Sequence, residues 1–150
     1  LSTHATVLKN FMPLVAQSAR QWRRAIDREL QPLGLTEATW LPLLHLSRSR
    51  HPPRQKDLAG ALQLDSSSVV RLLDALQVAG LIYREEGQDR RAKTVALTDA
   101  GRATVRQVED VVDAVRARYL SSLPQEDLAT AFRVVEQLSA MLAADVEAAP

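Results

Sequence analysis

DSSSVVRLLDALQVAGLIYREEGQDRRAKTVALT, residues 65–98, reads as one short helix followed by a β-hairpin with a charged tip. Helix-capping residues, Asp65 to Ser68, open the helical part. Val69, Leu72, Leu73 and Leu76 recur at helical spacing and send one face into a core. Ser67, Ser68, Arg71 and Asp74 occupy the other face. Gly80 ends the helix as a C-terminal glycine cap. Two strand-like runs follow, residues 81–84 and 94–97, around a tip at 85–93 with Gly87 to turn it and Asp89, Arg90 and Arg91 exposed. Small polar residues at a helix start, followed by an arginine-tipped hairpin, suit a DNA groove and its flanking phosphates.

Working outward, the segment before it supplies two more short helices. Thr36 caps a helix over 37–47 with Trp40, Leu43, Leu44 and Leu46 inward, and Pro42 is tolerated near its start. RSRHPPR, residues 48–54, is a basic loop. QKDLAGAL, residues 55–62, is a short helix packed through Leu58, Ala61 and Leu62, and Gln63-Leu64 is a tight turn into the helix at 66–79. Short helices joined by such a turn make a helix-turn-helix, and the hairpin makes it winged.

Longer helices flank this unit. Val7, Phe11, Leu14, Val15, Ala19, Trp22, Ile26 and Leu30 give a helical stripe over 4–31, in which Pro13 should mark the true start or a kink. Thr98 caps a helix reaching about 121, with Val105, Val108, Val112, Val115 and Tyr119 as its stripe. Ser122 and Gln125 stand at capping-box spacing before a last helix over 125–145, lined by Phe132, Val135, Leu138, Met141 and Leu142, and 146–150 should fray. The fold expected is mainly α with a small β-hairpin wing: a winged helix-turn-helix at 36–98, with 1–35 and 99–150 forming a helical dimerisation region. The flanking helices carry more apolar stripe than one core needs. Two copies packing them would bury it and set two reading helices about one DNA turn apart.

Composition narrows the function classes. The 150 residues are 46% hydrophobic but only 4% aromatic, which favours helix. Without cysteine there is no disulfide, thiolate metal site or thiol switch. His4, His45 and His51 have no metal-ligand spacing, and there is no nucleophile–base motif or glycine-rich phosphate loop, so neither enzyme, metal nor cofactor is expected. Nothing resembles a membrane span or signal peptide, and a soluble cytoplasmic protein is expected. Net charge is +1, unevenly spread: residues 20–102 hold 14 Lys/Arg against 10 Asp/Glu, and residues 103–150 hold 4 against 8. A basic middle suits a local footprint for a polyanion.

The chain resembles the MarR family of winged-helix transcriptional regulators, most closely the SlyA branch. The resemblance is carried by Arg20-x-Trp22-Arg23-x-x-Ile26-Asp27-x-x-Leu30-x-Pro32-Leu33-x-Leu35-Thr36-x-x-x-Trp40, by Ser68-x-Val70-Arg71-x-Leu73-Asp74-x-Leu76, by Gly80-Leu81-Ile82, and by Asp89-Arg90-Arg91-Ala92-Lys93-x-x-x-Leu97-Thr98. It implies a homodimer, a repressor in function class, on a palindromic operator in double-stranded DNA. On that resemblance the helix after Asp65 enters the major groove and the wing tips reach the flanking minor grooves. Ser66, Ser67 and Ser68 would meet phosphates or base edges, and Arg71 a guanine edge. Arg90 or Arg91 would enter the minor groove, with Asp89 holding the tip. Arg54, Lys56 and Lys93 would touch the backbone, and Glu85 and Glu86 should face away from phosphate. The resemblance also implies a small aromatic carboxylate or phenolic effector at Arg20, Arg23 and Trp40, although Ala38, Leu44 and Leu72 stand where such relatives carry polar groups. The competing reading is a winged-helix protein-interaction module without specific operator binding.

Overall fold

The computed structural model describes residues 3–87 and 92–148. Helix α1 (Thr3–Leu30) runs through a 3₁₀ turn (Gln31–Leu33) into α2 (Glu37–Arg48), α3 (Gln55–Ala61) and α4 (Ser66–Val78). Strands β1 (Ile82–Glu86) and β2 (Lys93–Leu97) form an antiparallel hairpin, and α5 (Asp99–Leu120) and α6 (Gln125–Ala148) follow. The chain forms two compact units, residues 1–113 and 114–150. Among the described residues, no helix is long and apolar enough to cross a membrane.

The first unit holds the winged helix-turn-helix. Its core gathers Leu43 and Leu46 of α2, Leu58 and Ala59 of α3, Val69, Leu73 and Leu76 of α4, Ile82 and Val95 of the hairpin, and Val105 of α5. Each side chain comes from the apolar phase of its own element, so burying them fixes how the three short helices and the hairpin pack. Residues with positive φ make the sharp exits. Gly34 (φ 72°) stands one residue past the 3₁₀ turn and Gly80 (φ 75°) two residues past the end of α4. At Gly80 the Leu81 N–H returns to the Leu76 carbonyl and the Gly80 N–H to Gln77, both at 3.0 Å. This double closure satisfies two otherwise orphaned carbonyls and aims the chain into β1. Gln63 (φ 55°) closes α3 in the same way, with Leu64 N–H on Ala59 and Gln63 N–H on Gly60. A non-glycine residue in this region carries local strain, held in place by the packed helices on either side.

The hairpin is bound to its neighbours at several points. The Val95 N–H donates to the Pro53 carbonyl at 2.9 Å, and Arg54 forms a β-bridge with Thr94. The loop entering α3 thus adds a short third edge to the wing. At its base, the Thr98 N–H donates to the Leu81 carbonyl at 3.1 Å and the Thr98 hydroxyl to the Gly80 carbonyl at 2.6 Å. The same hydroxyl accepts the Gly101 N–H at 3.0 Å, so Thr98 caps α5 while tying it to the exit of α4.

Several expectations are corrected. Pro13 neither starts α1 nor interrupts it: the helix runs from Thr3. Proline removes a single N–H and crowds one carbonyl, and the hydrogen bonds on either side carry the helix past it. On the α1 stripe, Ile26 and Leu30 are buried and Phe11, Val15 and Trp22 half-buried, whereas Val7, Leu14 and Ala19 are exposed. The strands reach residues 86 and 93, because pairing continues past Arg84 through Glu85 opposite Thr94 to Glu86 opposite Lys93. Thr36 stands at the start of α2, but its hydroxyl makes no capping bond and faces the Thr39 hydroxyl at 3.4 Å.

In the second unit, the end of α5 leads through a turn closed by the Leu123 N–H on the Leu120 carbonyl (3.1 Å) into α6. Val115 is buried but Tyr119 is 47% exposed. Ser122 does not form a capping box. The first helical bond of α6 goes from Leu128 to the Pro124 carbonyl, which leaves Ser122 outside the helix with its hydroxyl turned back to Tyr119 at 3.4 Å. Of the tail 146–150 expected to fray, 146–148 are helical, and 149–150 lie outside the described residues. No residue of α6 is buried: Phe132 is 66% exposed and Met141 59%.

Candidate nucleic-acid interface

Asp65 sits at the cap of α4 in extended conformation (φ −70°, ψ 164°), and its carboxylate accepts the Ser68 N–H at 2.6 Å and the Ser67 hydroxyl at 2.9 Å. Those bonds, the backbone one first, favour the charged form and hold the carboxyl below the ordinary aspartate range. The Ser67 hydroxyl is therefore already engaged as a donor, with its lone pairs free. The hydroxyl of Ser66, at the very start of the helix, makes no hydrogen bond among the described residues. A depressed carboxyl pKa stabilises the fold above its unfolded value, and that contribution is lost as pH falls through the lowered one. Asp65→Asn should therefore flatten the acid limb of the stability curve. Chemical denaturation of both proteins from neutral pH to below the aspartate range checks this, and identical curves would count against the cap.

Arg71 is exposed on α4, four residues beyond Ser67 and so on the same face. Its side chain forms no hydrogen bond or ion pair among the described residues, and its charge acts on the Asp65 carboxylate only through space. Asp74, its expected internal competitor, pairs instead with Arg84 of β1. Arg84 also donates from Nε to the Gln77 Oε1 at 2.7 Å. One guanidinium thereby joins the wing to two positions of α4.

Beside the start of α4, Arg54, Lys56, Ser66 and Lys93 line one concave surface together with Gly60 and Ala92. It lies between α3, α4 and β2. The stitching of Pro53 and Arg54 to β2 brings the cations of α3 and of the wing together. No carboxylate of the described residues lines that surface. Glu85 and Glu86 cannot both face away, because consecutive strand residues point to opposite faces. Glu86 shares the side of Arg84, which meets α4, and Glu85 that of Tyr83. Asp89, Arg90 and Arg91 lie outside the described residues. The tip is closed just inside them by the Gly87 N–H on the Ala92 carbonyl at 2.9 Å, where a Cβ on residue 87 would come within 2.8 Å of that oxygen. Gly87 serves close approach rather than a left-handed turn, since its φ is not positive.

The three residues expected to hold an effector lie elsewhere. Trp40 is 1% exposed and donates its indole N–H to the Asp27 carboxylate at 3.2 Å. Arg23 stands 4.0 Å from the Glu37 carboxylate, and Arg20 is exposed on α1. No face of the Trp40 ring is open to a ligand. His45 on α2 is held below the ordinary histidine range, first by burial and then by Arg48 and Arg23. Arg84 and Gly101 escaped the reading of the sequence. Alternation from the buried Ile82 puts Arg84 on the inner side of β1, and that was the available signal.

A family model described as MarR family matches residues 33–92. The crystal structure of transcriptional regulator PA3341 is 36% identical, covers 89% of this chain and 98% of its own, and superposes with a TM-score of 0.82. AbsC from Streptomyces coelicolor, a MarR family transcriptional regulator, is 26% identical over 96% of this chain and 97% of its own, with a TM-score of 0.78. The MepR–DNA complex of S. aureus is 25% identical over 88% and 97%, with a TM-score of 0.74. With its winged helix, its basic surface and these similarities, the chain belongs to the MarR family of DNA-binding transcriptional regulators.

Proposed function

We propose that the protein acts as a homodimeric repressor on a palindromic operator, of the SlyA type within its family. In this reading α4 lies in the major groove, with Arg71 on a guanine edge and Ser66, Ser67 and Ser68 at phosphates or bases. Arg54, Lys56 and Lys93 hold the backbone, and Arg90 or Arg91 enters the flanking minor groove. The observation that carries it is the convergence of Arg54, Lys56, Lys93 and Ser66 on one concave surface beside a helix whose exposed Arg71 side chain makes no hydrogen bond or ion pair among the described residues. Cations on a surface where the described residues place no carboxylate lose little on meeting phosphates.

The dimer rests on apolar exposure. Phe132, Met141 and Leu142 of α6 and Leu8 and Leu14 of α1 are all more than half exposed in the single chain. Isolated helices with such faces are marginal in water and gain their stability from packing. Residues 1–35 and 99–150 would supply that packing between two copies. Sedimentation should return a dimer, and a monomer at micromolar concentration would overturn the assembly.

The DNA reading is tested by anisotropy titration on the duplex upstream of the protein's own gene, at several salt concentrations. Affinity should fall steeply with salt, by a logarithmic slope of about −0.9 per phosphate neutralised. Arg71→Ala should lose about 1–3 kcal/mol of discrimination at one base pair, and Arg90→Ala or Arg91→Ala roughly tenfold in affinity at every sequence sharing the same flanks. A flat salt response would favour the protein-interaction module. Unchanged binding in both wing variants would remove the wing assignment.

A further inference from the structure

Helix α1 is seated at one end only. Ile26 and Leu30, in its last two turns, are buried, whereas Leu8 and Leu14 nearer its start are more than half exposed. Helix α2, by contrast, sends Leu43 and Leu46 into the core that also holds α3, α4 and the hairpin. The passage between α1 and α2 is short, with the Leu35 N–H returned to the Leu30 carbonyl at 3.3 Å. Ile26 and Leu30 of α1 and Trp40 and Leu44 of α2 are buried but stand outside that core. Apolar burial has no direction, so a helix seated by it can still tilt and slide.

One directional bond joins the two helices. The Trp40 indole N–H donates to the Asp27 carboxylate at 3.2 Å. Trp40 is among the largest fully buried side chains, which leaves its ring no room to turn. Asp27 follows the buried Ile26 and accepts no other hydrogen bond among the described residues. An indole N–H can only donate, and inside a protein it needs an acceptor. The second link, Arg23 to Glu37 at 4.0 Å, joins two half-exposed side chains. Solvent screens it, and it fixes no angle.

We propose that the Asp27–Trp40 bond is a positioning link: it sets the angle of α1 on the reading head, and through α1 the separation of the two reading helices in the dimer. This rests on the dimer proposed above, in which α1 packs against a second copy; the bond itself does not. A tilt at this seam moves α2, α3, α4 and the wing as one body, because they share one core. Two-fold symmetry applies the same tilt to both heads. Successive major grooves accept the two reading helices at one separation, about one helical turn. Asp27 and Trp40 thus act on DNA binding without touching DNA.

The chain has no cysteine, so Val78→Cys, at the exposed last residue of α4, takes one nitroxide label per chain. Pulsed electron spin resonance then reads the distance between the two reading helices. The labelled parent should give one narrow distance. Asp27→Leu strands the indole N–H and should broaden or shift that distance. Trp40→Phe removes the N–H but keeps a ring in the core, and should do the same. Asp27→Asn retains an acceptor oxygen and should leave the distance narrow. Without label, Asp27→Leu should bind the operator about fivefold more weakly, the lower end of typical coupling between separate elements. Its preference for one half-site spacing should flatten, while affinity for a duplex with a single half-site stays as in wild type. Asp27→Asn should keep the wild-type preference. A parental distance in either Asp27→Leu or Trp40→Phe overturns the link. So does equal broadening in Asp27→Asn, which would place the effect on charge rather than on the hydrogen bond. An unchanged spacing preference in Asp27→Leu, or an equal loss on the single half-site, overturns the role in DNA binding. A labelled parent without any pair distance would instead reject the dimer above, and a narrow distance without operator binding would reject the operator reading alone.

Discussion

Gly101→Ala lowers the melting temperature by about 6–12 °C, the consequence of roughly 3 kcal/mol of lost stability in a chain of this size. A methyl group at residue 101 would be driven into the Leu81 carbonyl oxygen, and it would also lie 3.0 Å from the Leu81 carbonyl carbon and 3.2 Å from the Leu97 Cδ2. The obstacle is backbone, which cannot rotate out of the way as a flexible side chain would. That carbonyl also accepts the Thr98 N–H, so displacing it breaks the bond that joins the start of α5 to the exit of α4. Gly101 is buried, which leaves no solvent side toward which the helix could tilt without opening the core at Val105. Gly60→Ala provides the contrast. Gly60 lies inside α3 without a positive φ, and a methyl group there would meet nothing within 4 Å. Alanine at that position should stabilise by up to about 1 kcal/mol through the unfolded chain. Thermal circular dichroism on the two variants gives shifts of opposite sign. A Gly101→Ala protein melting with wild type would mean that α5 does not lie against residue 81.

Much of this architecture was legible because local chemistry and tertiary packing agree. The capping cluster at Asp65, the glycine exit at Gly80 and the threonine start at Thr98 each place a backbone donor or acceptor beside the group that satisfies it. Where they diverge, the local signal misled. Pro13 looks like a boundary, but one missing donor does not outweigh the bonds around it. Ser122 has capping-box spacing, yet the helix begins three residues later, after Pro124. Cationic residues of the interface were recognisable as types. That Arg54 and Lys93 share one surface depends on the β-bridge to Thr94, which pairs residues forty apart and leaves no periodic trace. The same holds for Gly101, whose need for a bare Cα comes from a carbonyl twenty residues earlier.

The largest functional loss among the residues outside the expected contacts falls on Arg84. Its guanidinium reaches from β1 to the Asp74 carboxylate and the Gln77 amide, and its side chain is only 18% exposed. The hairpin otherwise meets α4 through apolar side chains, which tolerate sliding, whereas a planar fork on two acceptors fixes an angle. In the proposed mode α4 and the wing touch different grooves of one duplex, so their relative angle decides whether both engage together. Arg84→Ala also leaves the Asp74 carboxylate without its counter-charge on the reading helix, where phosphate would repel it. We expect about a tenfold or greater loss of operator affinity, some 1.4 kcal/mol, against a stability change within about 1 kcal/mol, as for other partly exposed pairs. Arg84→Lys should not restore affinity, because an ammonium cannot hold both acceptors in one plane. Footprinting separates positioning from general damage: protection at the wing-contacted flanks should vanish while protection in the central major grooves persists. Asp74→Asn should weaken the same flanks, and combining it with Arg84→Ala should cost less than the two losses added, since both remove one linkage. Operator affinity equal to wild type in Arg84→Ala, or protection fading evenly along the site, would show that the wing holds its angle without this residue.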